Sequence, residues 1–127
     1  MRITASHILN WANNHAKEAQ TDLPRWVRRL CFDAEATRQL SFPAGDSNFV
    51  PGWDGVLFSE RGNAWIPVGS SRWEIGCDQD VPGKANREYL KRTAQIDSDE
   101  RLNCTFVFVT PRRWVKKNDW VAEQKVT

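Results

Sequence analysis

Two acidic residues stand where acids are seldom placed for packing. Asp54 lies in Pro51-Gly52-Trp53-Asp54-Gly55, at the opening of a short extended run, and Glu74 lies inside Ser71-Arg72-Trp73-Glu74-Ile75-Gly76, in the middle of a later one. Side chains alternate faces along a strand, so Trp73, Ile75 and Cys77 point one way and Arg72, Glu74 and Gly76 the other. A carboxylate between tryptophan and isoleucine sits near a core, and a charge there needs a partner or a metal ion. Phosphodiester hydrolysis supplies a reason for such a pair. Magnesium prefers carboxylate oxygens, keeps several waters, and is held by one or two acidic side chains plus substrate phosphate oxygens. The ion activates and orients water and offsets charge on the phosphate, and a nearby lysine helps to deprotonate that water or to stabilise charge. As a bare spacing the pair is unspecific, because acids so separated arise by chance in many domains.

The elements that must position the pair follow from periodicity and punctuation. From Ser6 to about Gln20, Ile8, Trp11, Ala12 and Ala19 fall at helical spacing, with Ser6 as the expected N-cap. His15 lies by that stripe and His7 precedes it; two histidines so far apart make no site alone, and both read as surface or rim. Thr21 or Asp22 is expected to cap a second helix, with Pro24 in its first turn and Leu23, Val27, Leu30, Cys31 and Ala34 on its inner face. Glu35, beside that face, reads as solvated, though within reach of an active site.

After Ser41 the pattern becomes extended. Strands are predicted over Trp53–Phe58, Ala64–Val68 and Ser71–Cys77, with turns at Glu60-Arg61-Gly62-Asn63 and Gly69-Ser70. A helix is predicted over Lys84–Thr93. Cys104–Val109 is an apolar run that predicts a strand buried on both faces, and Pro111 ends it before a last helix from about Arg112. The fold class expected is α/β of the α+β kind: N-terminal helices, a three-stranded meander, a helix, a buried strand and a C-terminal helix.

A length of 127 residues fits one domain with its own core. The net charge of +2 conceals an uneven distribution: eight basic and ten acidic residues precede Lys84, and ten basic and six acidic follow from it onward. The excess gathers in Lys84, Arg87, Lys91 and Arg92, then in Arg112, Arg113, Lys116 and Lys117, which suits a polyanion held beside a carboxylate-bearing half. Solvated helix faces account for the same clusters. The seven tryptophans read first as core and rim residues, with base or sugar stacking as a second use. Three cysteines without paired spacing imply neither a disulfide framework nor a zinc site. No apolar signal core and no membrane-length stretch occurs, so the expected location is the cytoplasm and the Asn103-Cys104-Thr105 sequon reads as accidental. The final residues look like the middle of a helix, so the chain is expected to be one domain of a longer protein.

The order of elements, with Asp-Gly opening one hairpin strand and a buried glutamate in the next, resembles the PD-(D/E)XK superfamily, which includes Mrr-like restriction endonucleases. The runs Gly52-Trp53-Asp54-Gly55, Ile66 to Gly76, Lys84 to Thr93 and Phe106 to Trp114 look like the N-terminal domain of large bacterial anti-phage defence proteins. In those proteins a nuclease-like domain precedes NTPase-like or sensor regions. The resemblance spans about Trp53 to Trp120; the leading helices carry no motif. It implies Mg²⁺ or Mn²⁺ bound by Asp54, Glu74 and the Ile75 carbonyl, a DNA substrate, and a lysine two residues after the glutamate. Here that position is Gly76. In some members the lysine comes from the following helix, and Lys84, which opens that helix, is the candidate; an exposed lysine at a helix start is the other reading of it. Arg87 and Lys91 share its helical face and, with Arg112 and Arg113, would hold the phosphate backbone.

Three readings result. One is a metal-dependent endonuclease with Asp54, Glu74 and Lys84 as catalytic residues, cutting both strands as a homo-oligomer in the manner of many such enzymes. Another is a non-catalytic nucleic-acid-binding or regulatory module on the same fold, favoured by Gly76. The last is an unrelated interaction domain in which Glu74 pairs with Arg72 or a neighbouring arginine.

Overall fold

Thr4 opens the first helix, α1 (Ala5–Asn14): its hydroxyl accepts from the His7 N–H at 3.3 Å, while His7 Nδ1 accepts from the Thr4 N–H at 3.1 Å. The cap is therefore Thr4 rather than Ser6, and His7 is half of a reciprocal capping pair. The computed structural model describes residues 2–32, 37–41, 53–94, 99 and 102–126. The first helix stops earlier than predicted, at His15, whose N–H closes on the Trp11 carbonyl at 2.9 Å and whose own carbonyl accepts from Ala19 at 2.9 Å. With both backbone groups satisfied across the break, α2 (Ala16–Cys31) starts at once, and Pro24 falls inside it instead of in its first turn. Trp11 and Trp26 stack between the two helices, with centroids 4.6 Å apart and planes 14° from parallel. Ala34 and Glu35 lie outside the described residues.

The sheet has four strands in the order β1 (Thr37–Ser41), β2 (Gly55–Ser59), β3 (Gly69–Ile75) and β4 (Cys104–Val109). The first three form an antiparallel meander, and β4 lies parallel to β3. A meander was expected, but with a different member. Ala64–Val68 is not a strand, because Asn63 uses up the backbone groups that a ladder would need. Its Oδ1 accepts from the N–H of Trp65 at 2.8 Å and of Ile66 at 3.0 Å, and its own N–H donates to the Ile66 carbonyl at 2.9 Å. The loop drops Ile66 into the core and leaves Trp65 81% exposed. Gly62 must be glycine here: at φ 65° it lies in the left-handed region, and a Cβ would stand 2.7 Å from the Ile66 carbonyl oxygen. The third meander strand is β1, whose Thr-Arg-Gln-Leu-Ser run has one apolar residue and so no alternation to read. Its pairing with β2 is clamped by Arg38 and Glu60, Nε to Oε1 2.9 Å.

A parallel β3–β4 pair requires a crossover, supplied by α3 (Val81–Thr93). Asp80 caps it by accepting from Gly83 N–H at 3.1 Å, so the helix begins before Lys84. β4 is an edge strand of this sheet, and its side chains are half-buried or exposed instead of fully buried. Its apolar run has a cause all the same, since both faces are packed. Val107 and Val109 join Leu23, Val27, Cys31, Leu57, Ile66 and Trp73 in the core beneath α2. Phe106 and Phe108 face the other way, into an aromatic chain. Trp53 and Tyr89 flank Phe106, Tyr89 meets Trp120, Trp120 meets Trp114, and Trp114 meets Phe108, with centroids 5.3–6.1 Å apart. Trp120 belongs to α4 (Lys117–Val126), and its indole N–H donates to Asn86 Oδ1 at 2.6 Å, which ties α4 to α3. The molecule is thus a mixed α/β fold: among the described residues, four helices on a four-stranded mixed sheet. Among them no helix is long and apolar enough to cross a membrane.

Candidate functional site

Alternation along β3 sends Ser71 and Trp73 into the core and Arg72, Glu74 and Gly76 toward α3. Trp73 is satisfied within its own face, its indole N–H donating to Ser71 Oγ at 2.8 Å. Glu74 is buried as deeply, at 2% exposure. It escapes the full cost of burial through Arg92, whose Nε donates to Glu74 Oε1 at 2.7 Å.

Asp54 arrives from the other strand of the hairpin. The register pairs Gly55 with Trp73, which sets the preceding residue opposite Glu74 and Ile75. Asp54 Oδ2 accepts the Ile75 N–H at 2.9 Å, and its carboxyl lies within hydrogen-bonding reach of Glu74. Two carboxyls are thereby held together. Burial, then the hydrogen bond and charge of Asp54, push Glu74 up to about 8; Arg92 opposes this and Glu88 adds to it.

On α3, Lys84, Glu88 and Arg92 follow one another at four-residue spacing along the face that meets the sheet. Glu88 takes Lys84 Nζ at 2.7 Å on Oε1 and stands 3.7 Å from Arg92 Nε on Oε2. Burial alone would raise the Glu88 carboxyl, but the hydrogen bond and charge of Lys84, then Arg92 and Lys91, outweigh it and leave it below its ordinary value.

Lys84 also lines a cleft of about 200 Å³ with Asp54, Ile75, Gly76, Cys77, Asp78, Gln20 and Pro24. Glu74 lies behind this cleft and forms no part of its wall. Gly76 matters by what it leaves room for: a Cβ there would stand 2.8 Å from Lys84 Cγ and 2.9 Å from Phe108 Cζ. The Lys84 stem occupies the volume into which a side chain at position 76 would grow.

The other predicted residues are placed unequally. Arg87 and Lys91 are exposed on α3, and Arg87 pairs with Asp78, Nη2 to Oδ2 3.0 Å. Arg113 is exposed. Arg112 is a tether: its Nε donates to the Cys77 carbonyl at 2.8 Å and its Nη1 to Asn13 on α1. The arginine that holds Glu74 is Arg92, while Arg72 Nη1 donates to the Ser71 carbonyl at 3.4 Å. Glu35 lies outside the described residues. Glu88 and Gln20 were not singled out from the sequence, and Arg92 only as one of a basic cluster, although the Lys84-Glu88-Arg92 spacing carries a readable signal.

Among the described residues no three His, Cys, Asp or Glu side chains converge on one point. Asp54 and Glu74 are a pair, which with a backbone carbonyl and water is a donor set that suits magnesium. The chain matches no protein-family model, and neither a characterised protein nor a solved structure shows significant similarity to it.

Proposed function

We propose that this chain is a Mg²⁺- or Mn²⁺-dependent nuclease domain of the PD-(D/E)XK, restriction-endonuclease-like kind, acting on the phosphodiester bonds of DNA. The observation that carries the reading is the position of Lys84. Its stem fills the space over Gly76 while the residue borders the same cleft as Asp54. A lysine from the helix thus stands in for one on the strand. The element order supports the same reading, as does the pairing of Asp54 with Glu74 across one hairpin.

Asp54, Glu74 and the Ile75 carbonyl would hold the ion, which would offset the charge of the two carboxyls that the hairpin brings side by side. When bound, the ion supplies an activated water and offsets charge on the phosphate. The chain's own residues do the rest. Lys84, as an ammonium in the cleft, donates to a phosphate oxygen and stabilises charge there. Arg87, Lys91 and Arg113 offer exposed cations for the flanking backbone, and Arg112 fixes the cleft rim through Cys77. We place the domain in anti-phage defence, within a longer polypeptide bearing NTPase-like or sensor regions, in the cytoplasm and active as a homo-oligomer.

Cleavage of supercoiled and linear duplex with Mg²⁺ or Mn²⁺ tests this. Loss of cutting in folded Asp54→Ala and Lys84→Ala proteins, with partial return in Gly76→Lys/Lys84→Ala, is the expected pattern. A second reading has its own observation: Arg92 already holds Glu74, and Glu88 already holds Lys84. A module so satisfied would bind DNA without cutting it. Duplex binding with no cleavage, and no Asp54-dependent metal binding, would decide for that reading.

A further inference from the structure

Where α1 meets α2 lies a second hollow, built on two tryptophans. Trp11 and Trp26 stack there, and with Ile3, His7 and Ile8 they line an apolar groove of about 420 Å³, a volume in the range of small-ligand clefts. Stacking on Trp11 holds the Trp26 ring in place, yet Trp26 is 44% exposed and Ile3 68%, so aromatic and apolar surface is offered to solvent. The polar edge of the groove is His7. Its Nδ1 accepts the Thr4 N–H, so the ring hydrogen is on Nε2, a donor. The charge around the groove is mostly of one sign. α1 contains no acidic residue, and residues 23–31 of α2 hold Arg25, Arg28 and Arg29 and no acid. Arg28 and Arg29 are exposed and form no ion pair among the described residues, while Arg25 stands 3.7 Å from Asp22, one turn back. Helical steps of about 100° per residue place Trp26, Arg29, Arg25, Arg28, Pro24 and Gln20 in that order around the α2 axis. Trp26 borders the groove, and Pro24 and Gln20 border the cleft of Asp54 and Lys84. A basic band thus runs over α2 from one hollow to the other.

We propose that this groove stacks a base of a single nucleic-acid strand, whose phosphates cross α2 on Arg29, Arg25 and Arg28 toward the cleft. The inference deepens the DNA reading above and rests on its nucleic-acid half, not on the metal. An unpaired base presents a flat π-face, which packs on the exposed indole, and a polar edge, which the His7 Nε2–H can meet. Guanidinium groups at the rim take the phosphates that flank that base. In a duplex the π-faces are hidden in the stack, so the groove selects unpaired strand.

The test is fluorescence titration of the full chain, in EDTA and over a series of salt concentrations. The probes are a short single-stranded deoxyoligonucleotide, an abasic strand of equal length, the matching duplex and phosphatidylserine vesicles. The wild type is expected to bind the single strand with quenching of tryptophan emission, and the abasic strand about tenfold more weakly. Trp26→Ala should lose about tenfold in affinity for the single strand and nothing for the abasic one. Arg25→Gln/Arg29→Gln should weaken both strands and lower the salt slope by roughly 1.4. Equal affinity of the wild type for the two strands, or unchanged single-strand binding by folded Trp26→Ala, overturns the proposal. Duplex binding without single-strand binding overturns it and leaves the DNA reading of the cleft standing, whereas no binding of any nucleic acid overturns both. Trp26-dependent binding to vesicles in place of strands overturns it too, and assigns the surface to anionic lipid. If Trp26→Ala does not fold, Trp26→Leu, which keeps apolar bulk without a π-face, takes its place with the same expected loss.

Discussion

Across β3 the sheet has an apolar side and a charged one, separated by the thickness of a single strand. Trp73 and Glu74 are neighbours in sequence and are almost equally buried, at 3% and 2%. Trp73 sits among Leu23, Val27, Leu57 and Ile66, and what holds it is area removed from water. Glu74 sits against Arg92 and Asp54, and what holds it is pairing. The apolar side is satisfied wherever shapes fit. The charged side is satisfied only if particular partners are present, so a site can be built there and also mis-set by one substitution.

The largest expected effects separate the sides by their cures. Trp73→Ala should cost about 3–5 kcal/mol in urea denaturation, the usual penalty for emptying a core site. Glu74→Ala should cost a similar 3–5 kcal/mol or so by stranding Arg92. Only the second should be relieved by a further Arg92→Met change. If Arg92→Met relieves both or neither, the two sides do not differ in the way described.

A pH series sharpens the same contrast. Burial and the neighbouring Asp54 push Glu74 up to about 8 in the folded protein, from an ordinary value of 4.5. Between those values the unfolded chain has released the proton that the folded chain keeps, so this group's contribution to stability falls as pH rises through the window. Glu74→Gln should remove that slope, read as the difference in urea stability between the two proteins from pH 5 to 8.5. An identical pH dependence in both would show that the carboxyl is not held up by Asp54 and burial.

Gly76→Ala is expected to cost about 1–3 kcal/mol by overpacking against Lys84 and Phe108. Lys84→Ala in the same chain should return part of this, because it vacates the Cγ position 2.8 Å away. Full additivity of the two changes would mean that the lysine stem does not occupy that space. The smallest effect is expected at the solvent-facing pair of Arg87 and Asp78: Arg87→Ala should change stability by about 0–1 kcal/mol while weakening duplex binding in low salt. A larger stability loss would make that arginine structural.

Much of the site was legible because β-strand alternation is local. Trp-Glu-Ile in a short strand places the acid opposite the core whatever the rest of the chain does, and Asp-Gly before the preceding strand marks its hairpin companion. The helix that follows was legible over Lys84–Thr93, but its first turn was not: Pro82-Gly83 reads as a turn in a polar loop, and only the Asp80 cap makes it helical. β1 was not, since Leu40 alone gives no period, and only pairing with β2 makes the segment a strand. The false strand at Ala64–Val68 had the right composition, but Asn63 intercepted its backbone groups.

Sequence alone thus determined which side chains β3 turns away from the core, that a carboxylate pair flanks the hairpin, and that position 76 lacks the expected lysine. Only the tertiary structure decided which cations answer those acids. The crossover sets how α3 lies on the sheet, and that rotation brings Arg92 rather than Arg87 or Lys91 onto Glu74 and lays Lys84 over Gly76. Periodicity fixes a residue's neighbours along its own element; which residue it meets on another depends on the packing of the two, and no local pattern encodes that contact.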